Sequence, residues 1–200
     1  MTANLALMQE AMSAFSALLQ EAKDAGDPEP TAMTLATSDS SGRISARTVL
    51  LKEQDDRGFV FYTNTLSNKG RQLAQHPRAA LLFLWKTLRH QVQFKIEGTV
   101  EPISELEADA YFQTRPRGSQ IGAWASTQSQ TLDARSTLLQ QVVDFETKFA
   151  DQVIPRPGHW SGFRVLPDMM ESWFGAPFRL HERTRYEIDN GCWTKRLLFP

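Results

Sequence analysis

The sequence predicts a mainly β chain with flanking helices, an α+β arrangement in which an antiparallel barrel carries its helices outside. Three observations predict it. Segments in the middle and tail alternate, or run apolar, over strand lengths and are joined by short turn signals. Apolar residues recur at helical spacing in only a few places. No repeat, low-complexity stretch or linker divides the chain, so residues 1–200 are expected to form one domain.

Taken in order, Leu5, Met8, Met12, Phe15, Leu18, Leu19 and Ala22 form a helical stripe that Gly26, Asp27 and Pro28 end. Residues 1–27 therefore read as an amphipathic helix packed on a sheet. Ala32 to Thr37 reads as a strand, followed by a turn at Ser38 to Gly42. Ile44 to Lys52 is a second strand, Asp55-Asp56-Arg57-Gly58 a turn, and Phe59 to Thr63 a third strand rich in aromatic and β-branched residues. A short helix is expected from about Ser67 to His76, ended by Pro77. Ala79 to Trp85 suits a buried strand. In His90 to Val100, Val92, Phe94 and Ile96 share one face. Ser104-Glu105-Leu106-Glu107 is a capping-box pattern that starts a helix running to about Thr114. Another helix covers Leu132 to Phe149, closed by Pro155 and Pro157. The tail reads as strands from Trp160 to Val165, Met169 to Trp173 and Phe178 to Ile188. Asp189-Asn190-Gly191 is a hairpin turn, and the last strand holds Cys192, Trp193 and Leu197.

Composition narrows the function. Hydrophobic residues make up 41% and charged residues 22%, an ordinary globular composition that argues against disorder. The net charge of −1 argues against bulk binding of nucleic acid or an anionic membrane. One cysteine allows no intrachain disulfide, and four histidines without ligand spacing give no metal site. With no secretory leader or membrane-spanning run in the sequence, a cytoplasmic location is expected. Dinucleotide-binding, Walker, zincin and nucleophile-elbow motifs are all missing.

Four clusters could carry chemistry. On a strand, Arg179, His181 and Arg183 would share one face, so an anion or neighbouring carboxylates must offset their repulsion. Arg115-Pro116-Arg117-Gly118-Ser119, read as a loop, offers two guanidiniums and a hydroxyl. It suits a phosphate cradle or an ordinary connector. Ser67-Asn68-Lys69-Gly70 opens a helix, where free N–H groups favour an anion, although Ser67 as a plain N-cap fits equally well. Arg47 and Lys52 have opposite parity on an ideal strand. They serve one ligand only past a strand end, across a bulge, or at different parts of a site. Most of the five tryptophans are expected in the core, with Trp173 placed near a planar ligand.

Five stretches stand in order: Arg47-Thr48-Val49-Leu50-Leu51-Lys52, Val60-Phe61-Tyr62-Thr63-Asn64, Tyr111-Phe112-Gln113-Thr114-Arg115-Pro116-Arg117, Ser119-Gln120-Ile121-Gly122-Ala123-Trp124 and Arg179-Leu180-His181-Glu182-Arg183. Together they resemble the pyridoxamine 5'-phosphate oxidase family, from about Thr31 to Pro200. The resemblance implies a split barrel that binds FMN and a homodimer with FMN at the subunit interface. It implies FMN-phosphate ligands at Arg47 and Lys69, with Asn68 standing where arginine is common. The backbone from Arg47 through Val49 and Leu50 to Lys52 would line the flavin. Tyr62, Thr63, Gln91, Gln128, Ser129, Trp173 and Arg183 match further FMN contacts. Lys52, Tyr111, Arg115 and Ser119 match positions that hold a substrate phosphate, so that Arg47 and Lys52 would face different ligands. Arg179 and His181 match positions beside a pyridine ring, with Arg179 holding the reacting carbon against the flavin.

The implied activity is oxidation of pyridoxine or pyridoxamine 5'-phosphate to pyridoxal 5'-phosphate. Dioxygen is the acceptor, hydrogen peroxide is released, and no essential general base is required. Two related readings remain: a flavin oxidase of the phenazine-biosynthesis kind, and a carrier of flavin or pyridoxal phosphate without turnover. The sequence departs from the family at Ser172 and Phe174, which flank Trp173, in a short N-terminal arm, and in the spacing of Arg196 from Pro200.

Overall fold

The computed structural model describes residues 2–200, with side chains from Leu5 onward. The expected domain and first helix begin at Met1, which lies outside the described residues. Helix α1 spans Thr2–Asp24. Strands β1 (Ala32–Ser38), β2 (Ile44–Leu50), β3 (Glu53–Asp55) and β4 (Gly58–Asn64) follow, then α2 (Asn68–Gln75), β5 (Arg78–Trp85) and β6 (Val92–Pro102). Helices α3 (Glu105–Thr114), α4 (Arg117–Ala125) and α5 (Arg135–Lys148) come next. Strands β7 (Trp160–Phe174), β8 (Glu182–Asp189) and β9 (Cys192–Leu198) complete the chain.

All nine strands of the described residues join one sheet, ordered β2-β1-β5-β6-β7-β4-β3, with β8 on β7 and β9 on β8. Every pairing is antiparallel. The alternation read from the sequence sets the inner face: Met33, Leu35, Leu81, Phe83, Trp85, Val92, Phe94 and Ile96 are all buried. Helix α1 closes this core with Phe15, which is fully buried. Its ring centroid lies 4.9 Å from those of Phe59 and Phe83 and 5.1 Å from that of Phe94. Truncating such a ring to alanine costs about 3–5 kcal/mol. Among the described residues, no helix is long and apolar enough to cross a membrane.

Strand β7 organises the rest. It pairs with β4 from Trp160 to Val165 and with β8 from Met169 to Phe174, and β6 runs beside it past a register shift at Glu97/Gly98. A Cβ on Gly98 would stand 2.0 Å from the Leu166 carbonyl oxygen, so only glycine allows that approach. Trp160 and Trp173 sit at opposite ends of this strand. At about 3.3 Å per residue, they are separated by roughly 40 Å before any bend is subtracted.

The structure corrects several expectations. The two strands read at Trp160 and Met169 are one. The strand from Ile44 ends at Leu50, and the short strand β3 was not foreseen. The segment from Arg117 is helix α4, not a loop. The strand read from Phe178 begins only at Glu182. Pro177–Arg179 is instead a 3-10 turn, with Phe178 and Arg179 at φ +58° and +62°. Arg179, His181 and Arg183 therefore do not share a strand face. Both ends of the Ser104 capping box form as expected.

Candidate functional site

Strands β2 and β4, the start of α2, the α3–α4 junction, the 126–129 segment and Trp160 enclose an open groove of about 880 Å³. Twelve of the expected site residues line it: Arg47, Val49, Leu50, Lys52, Tyr62, Thr63, Asn68, Lys69, Arg115, Ser119, Gln128 and Ser129. Tyr111 stands beside it, its ring stacked on Tyr62 at 3.9 Å. Among the described residues, no aspartate or glutamate lines the groove. Among the described residues, none of its four cations, Arg47, Lys52, Lys69 and Arg115, forms an ion pair with a carboxylate. The parity of Arg47 and Lys52 is settled by the strand end. Beyond Leu50 the backbone turns, and the Lys52 N–H bonds to the Val60 carbonyl at 2.9 Å.

One end of the groove is built around α2. Ser67 caps this helix through its side chain, which accepts from the Gly70 N–H. A Cβ on Gly70 would lie 2.1 Å from the Thr65 carbonyl oxygen, so glycine lets the helix start tightly against the preceding turn. The Lys69 ammonium donates to Thr63 Oγ1 (3.2 Å), Ser67 Oγ (3.3 Å) and Gln128 Oε1 (3.1 Å). Arg47 donates to the Leu35 carbonyl (3.1 Å), Thr37 Oγ1 (2.6 Å) and Gln72 Oε1 (3.3 Å). All these acceptors are neutral, so orientation is fixed while charge is left over. Burial lowers the pKa of both groups, and the charge of Arg47 lowers that of Lys69 further. The Asn68 N–H reaches Ser129 Oγ at 3.2 Å, and Ser129 itself holds φ +72°.

The other end is aromatic. Tyr111, Tyr62 and Trp160 lie nearly parallel, with Tyr62 and Trp160 centroids 5.2 Å apart. The Tyr62 hydroxyl donates to Glu53 at 3.0 Å. Burial first, and then this carboxylate, raise the Tyr62 pKa. Arg115 ends α3 and lies over Trp160, with its Nη1 buried and unpaired. Trp160 was not foreseen as a site residue, because a tryptophan after prolines gives no signal beyond core packing. Arg117 does not face the groove. Its guanidinium caps the carbonyls of Phe149, Ala150 and Gln152 at the end of α5.

The five remaining residues, Gln91, Trp173, Arg179, His181 and Arg183, gather at the far end of β7. The Trp173 and His181 rings are 4.4 Å apart, and the Ala176 N–H donates to His181 Nδ1 at 3.2 Å. Arg183 donates from Nε (2.9 Å) and Nη2 (2.7 Å) to one oxygen of Glu171, and Arg185 does the same to the other. Burial raises the pKa of Glu171, but the two guanidiniums outweigh it and hold the group below the ordinary value. The Gln91 carbonyl accepts from Gly175 N–H at 2.9 Å, tying two loops together. Gln91 (φ +98°) and Arg179 (φ +62°) are both in the left-handed half of backbone space. Such strain is characteristic of sites held for function.

The comparisons with known proteins agree on one family. A family model described as pyridoxamine 5'-phosphate oxidase matches residues 19–149, and one described as the pyridoxine 5'-phosphate oxidase C-terminal dimerisation region matches residues 160–200. The chain belongs to the pyridoxamine 5'-phosphate oxidase family. A Xanthomonas euvesicatoria protein named pyridoxine/pyridoxamine 5'-phosphate oxidase is 55% identical over 196 residues, covering 97% of this chain and 98% of that one. The crystal structure of PhzG from Burkholderia lata, in complex with tetrahydrophenazine-1-carboxylic acid, is 34% identical with a TM-score of 0.89. The match covers 94% of this chain and 91% of that one. A pyridoxamine 5'-phosphate oxidase-related, FMN-binding protein from Nostoc punctiforme shares the fold, with a TM-score of 0.72 at 18% identity over 94% of this chain and 96% of that one. Family members thus share the antiparallel barrel with flanking helices seen here.

Proposed function

We propose that this chain is an FMN-dependent oxidase that converts pyridoxine 5'-phosphate and pyridoxamine 5'-phosphate to pyridoxal 5'-phosphate. It works in the cytoplasm as a homodimer whose 200 residues form one FMN-binding domain. The observation that carries this reading is the groove's charge: four cations, no lining carboxylate, and neutral acceptors fixing two of the cations in place. A site so built calls for anions, and two phosphates at its two ends satisfy it.

The residues fit the cofactor. Arg47 and Lys69, at the positive end of the α2 dipole, hold a phosphate at the α2 end. Strand β2 is the terminal strand of the sheet order, so its outer backbone groups from Arg47 to Leu50 are free for the polar edge of a planar ring. Bound there, FMN would supply the acceptor for a hydride equivalent from the substrate's C4' carbon and the route by which its electrons reach dioxygen. Lys52, Tyr111, Arg115 and Ser119 hold the substrate phosphate at the aromatic end, converting its binding into orientation. Arg179 and His181 are assigned to the substrate ring, and Gln91, Trp173 and Arg183 to the flavin. They gather at the opposite end of β7 from the groove of the same chain, and we assign them to the groove of a second copy.

The test is oxygen uptake by FMN-loaded protein with each B6 phosphate, following pyridoxal 5'-phosphate in the same sample. Uptake matched by aldehyde is the expected result. The PhzG likeness supports a second reading, oxidation of a reduced phenazine-type carboxylate. Uptake with such a compound and none with B6 phosphates would move the assignment there. Flavin binding without uptake on either would leave a carrier.

A further inference from the structure

Arg115 differs from the other buried arginines of the chain. Arg164 is 2% exposed and meets Asp55 at 2.6 Å and Glu107 at 3.1 Å. Arg156 is 6% exposed and pairs with Glu105 and with Asp109. Among the described residues Arg115 has no carboxylate, and its Nη1 is buried without an acceptor. An aromatic face lies under it instead. Arg115 Cζ is 4.5 Å from the Trp160 ring centroid and 5.6 Å from that of Phe112.

Trp160 is itself held at its ring and at its backbone. Tyr62 lies parallel to it at 5.2 Å, and Phe112 stands edge-on at 5.1 Å. The Trp160 carbonyl accepts from Arg156 Nη1 at 2.7 Å. Arg156 is in turn anchored to Glu105 and Asp109 of α3, the helix that Arg115 ends. One helix thus carries the guanidinium at its C-terminus and is fixed by its N-terminal half to the residue whose ring supports it.

The choice of partner has a chemical consequence. A carboxylate would orient a guanidinium but cancel its charge and occupy its in-plane donors. A ring face steadies the cation through its quadrupole and leaves both the charge and the in-plane N–H groups free. We infer that Trp160 is a positioning residue: its indole lies under Arg115 at the groove wall and leaves the guanidinium charge uncompensated by any carboxylate of the described residues, and so sets the affinity for a phosphate at that end. The inference deepens the functional reading above and rests on it for the identity of the phosphate-bearing substrate. Trp160 acts through Arg115, so its loss is felt in phosphate binding and not in the chemical step.

The experiment titrates inorganic phosphate by calorimetry into FMN-loaded wild type, Trp160→Leu, Trp160→Phe, Arg115→Gln and the Arg115→Gln/Trp160→Leu double variant. KM and kcat for pyridoxine 5'-phosphate are measured on the same preparations. Trp160→Leu is expected to weaken phosphate binding about tenfold and to raise KM in step. It should leave kcat and FMN affinity within about twofold of wild type. Trp160→Phe recovers part of the affinity, and leucine adds nothing once Arg115 is glutamine and no cation lies over the ring. Unchanged phosphate affinity in Trp160→Leu, a loss of kcat at constant KM, or a parallel loss of FMN affinity overturns the inference. If the leucine variant does not fold, the smaller ring of Trp160→Phe carries the test, with about a threefold weakening expected and wild-type affinity overturning it. Wild-type protein that binds phosphate but oxidises no B6 phosphate defeats the functional reading alone and leaves the calorimetric series to decide this one.

Discussion

The groove and the Arg164 cluster bury the same kind of cation by opposite means. Arg164 sits deep in β7 with Asp55 from the β3 end and Glu107 from α3 around it. The Ser104 capping box holds Glu107, and Arg57 shares both carboxylates. There the chain supplies both signs of charge, and the cluster ties β3, α3 and β7 into one unit. In the groove Arg47, Lys69 and Arg115 are partly buried among hydroxyls, amides, carbonyls and ring faces. There the chain supplies one sign only. A cation that stabilises the fold brings its own carboxylate, and a cation kept for a ligand does not, because that carboxylate would compete with the ligand.

The contrast can be broken by removing each kind of cation. Arg164→Met leaves Asp55 and Glu107 with Arg57 alone and should lower unfolding free energy by about 2 kcal/mol in urea titration of FMN-free protein. FMN affinity, measured on the folded fraction, should hold, and a matching loss of affinity would erase the distinction. At the far end of β7, Arg179→Ala should cut turnover about a hundredfold while FMN affinity stays within about threefold. Equal loss of both would remove its assigned role at the substrate ring. Lys69→Ala should weaken FMN binding about tenfold in a fluorescence titration. The stability of the FMN-free protein should stay level or rise, since a desolvated cation near Arg47 is gone. Unaltered FMN affinity would take Lys69 out of the phosphate site.

The smallest effect lies in acid. The Ser104 N–H and hydroxyl, and then Arg57 and Arg164, hold Glu107 at about 2, below its ordinary 4.5. A depressed carboxylate stabilises the fold above its unfolded pKa, and that stability is lost as pH falls from about 4.5 through about 2. Glu107 is partly exposed, so solvent screening leaves about 1 kcal/mol of this. Glu107→Gln should flatten the acid limb of stability over that window. A limb of unchanged slope would place the acid sensitivity elsewhere.

What could be read in advance followed from how local each signal is. The Ser104 box and the alternation of Val92, Phe94 and Ile96 are written within a few residues, and both formed as read. Helix α4 was hidden because Pro116, Gly118 and Gly122 read as loop residues, while packing of Ile121 against Phe112 and Phe149 overrides their weak propensity. Parity failed at Arg179 because two consecutive residues adopt positive φ, which no glycine announces there. The groove lining was legible only through the family pattern. Trp160 escaped because its partner Arg115 is distant in sequence and meets it only once α3 has docked on β7.

The length of β7 has a genetic consequence. If one protomer's groove works with its partner's far-end residues, a site is broken by damage to either chain. Two different broken alleles then need not give a dead enzyme. In a mixed pair of Lys69→Ala and Arg179→Ala chains, one site inherits both lesions and the other inherits neither. At FMN levels too low to fill the Lys69→Ala groove, random assembly of equal amounts should restore about a quarter of wild-type activity. A strand that reaches from one site to the next thus turns two recessive defects into a complementing couple.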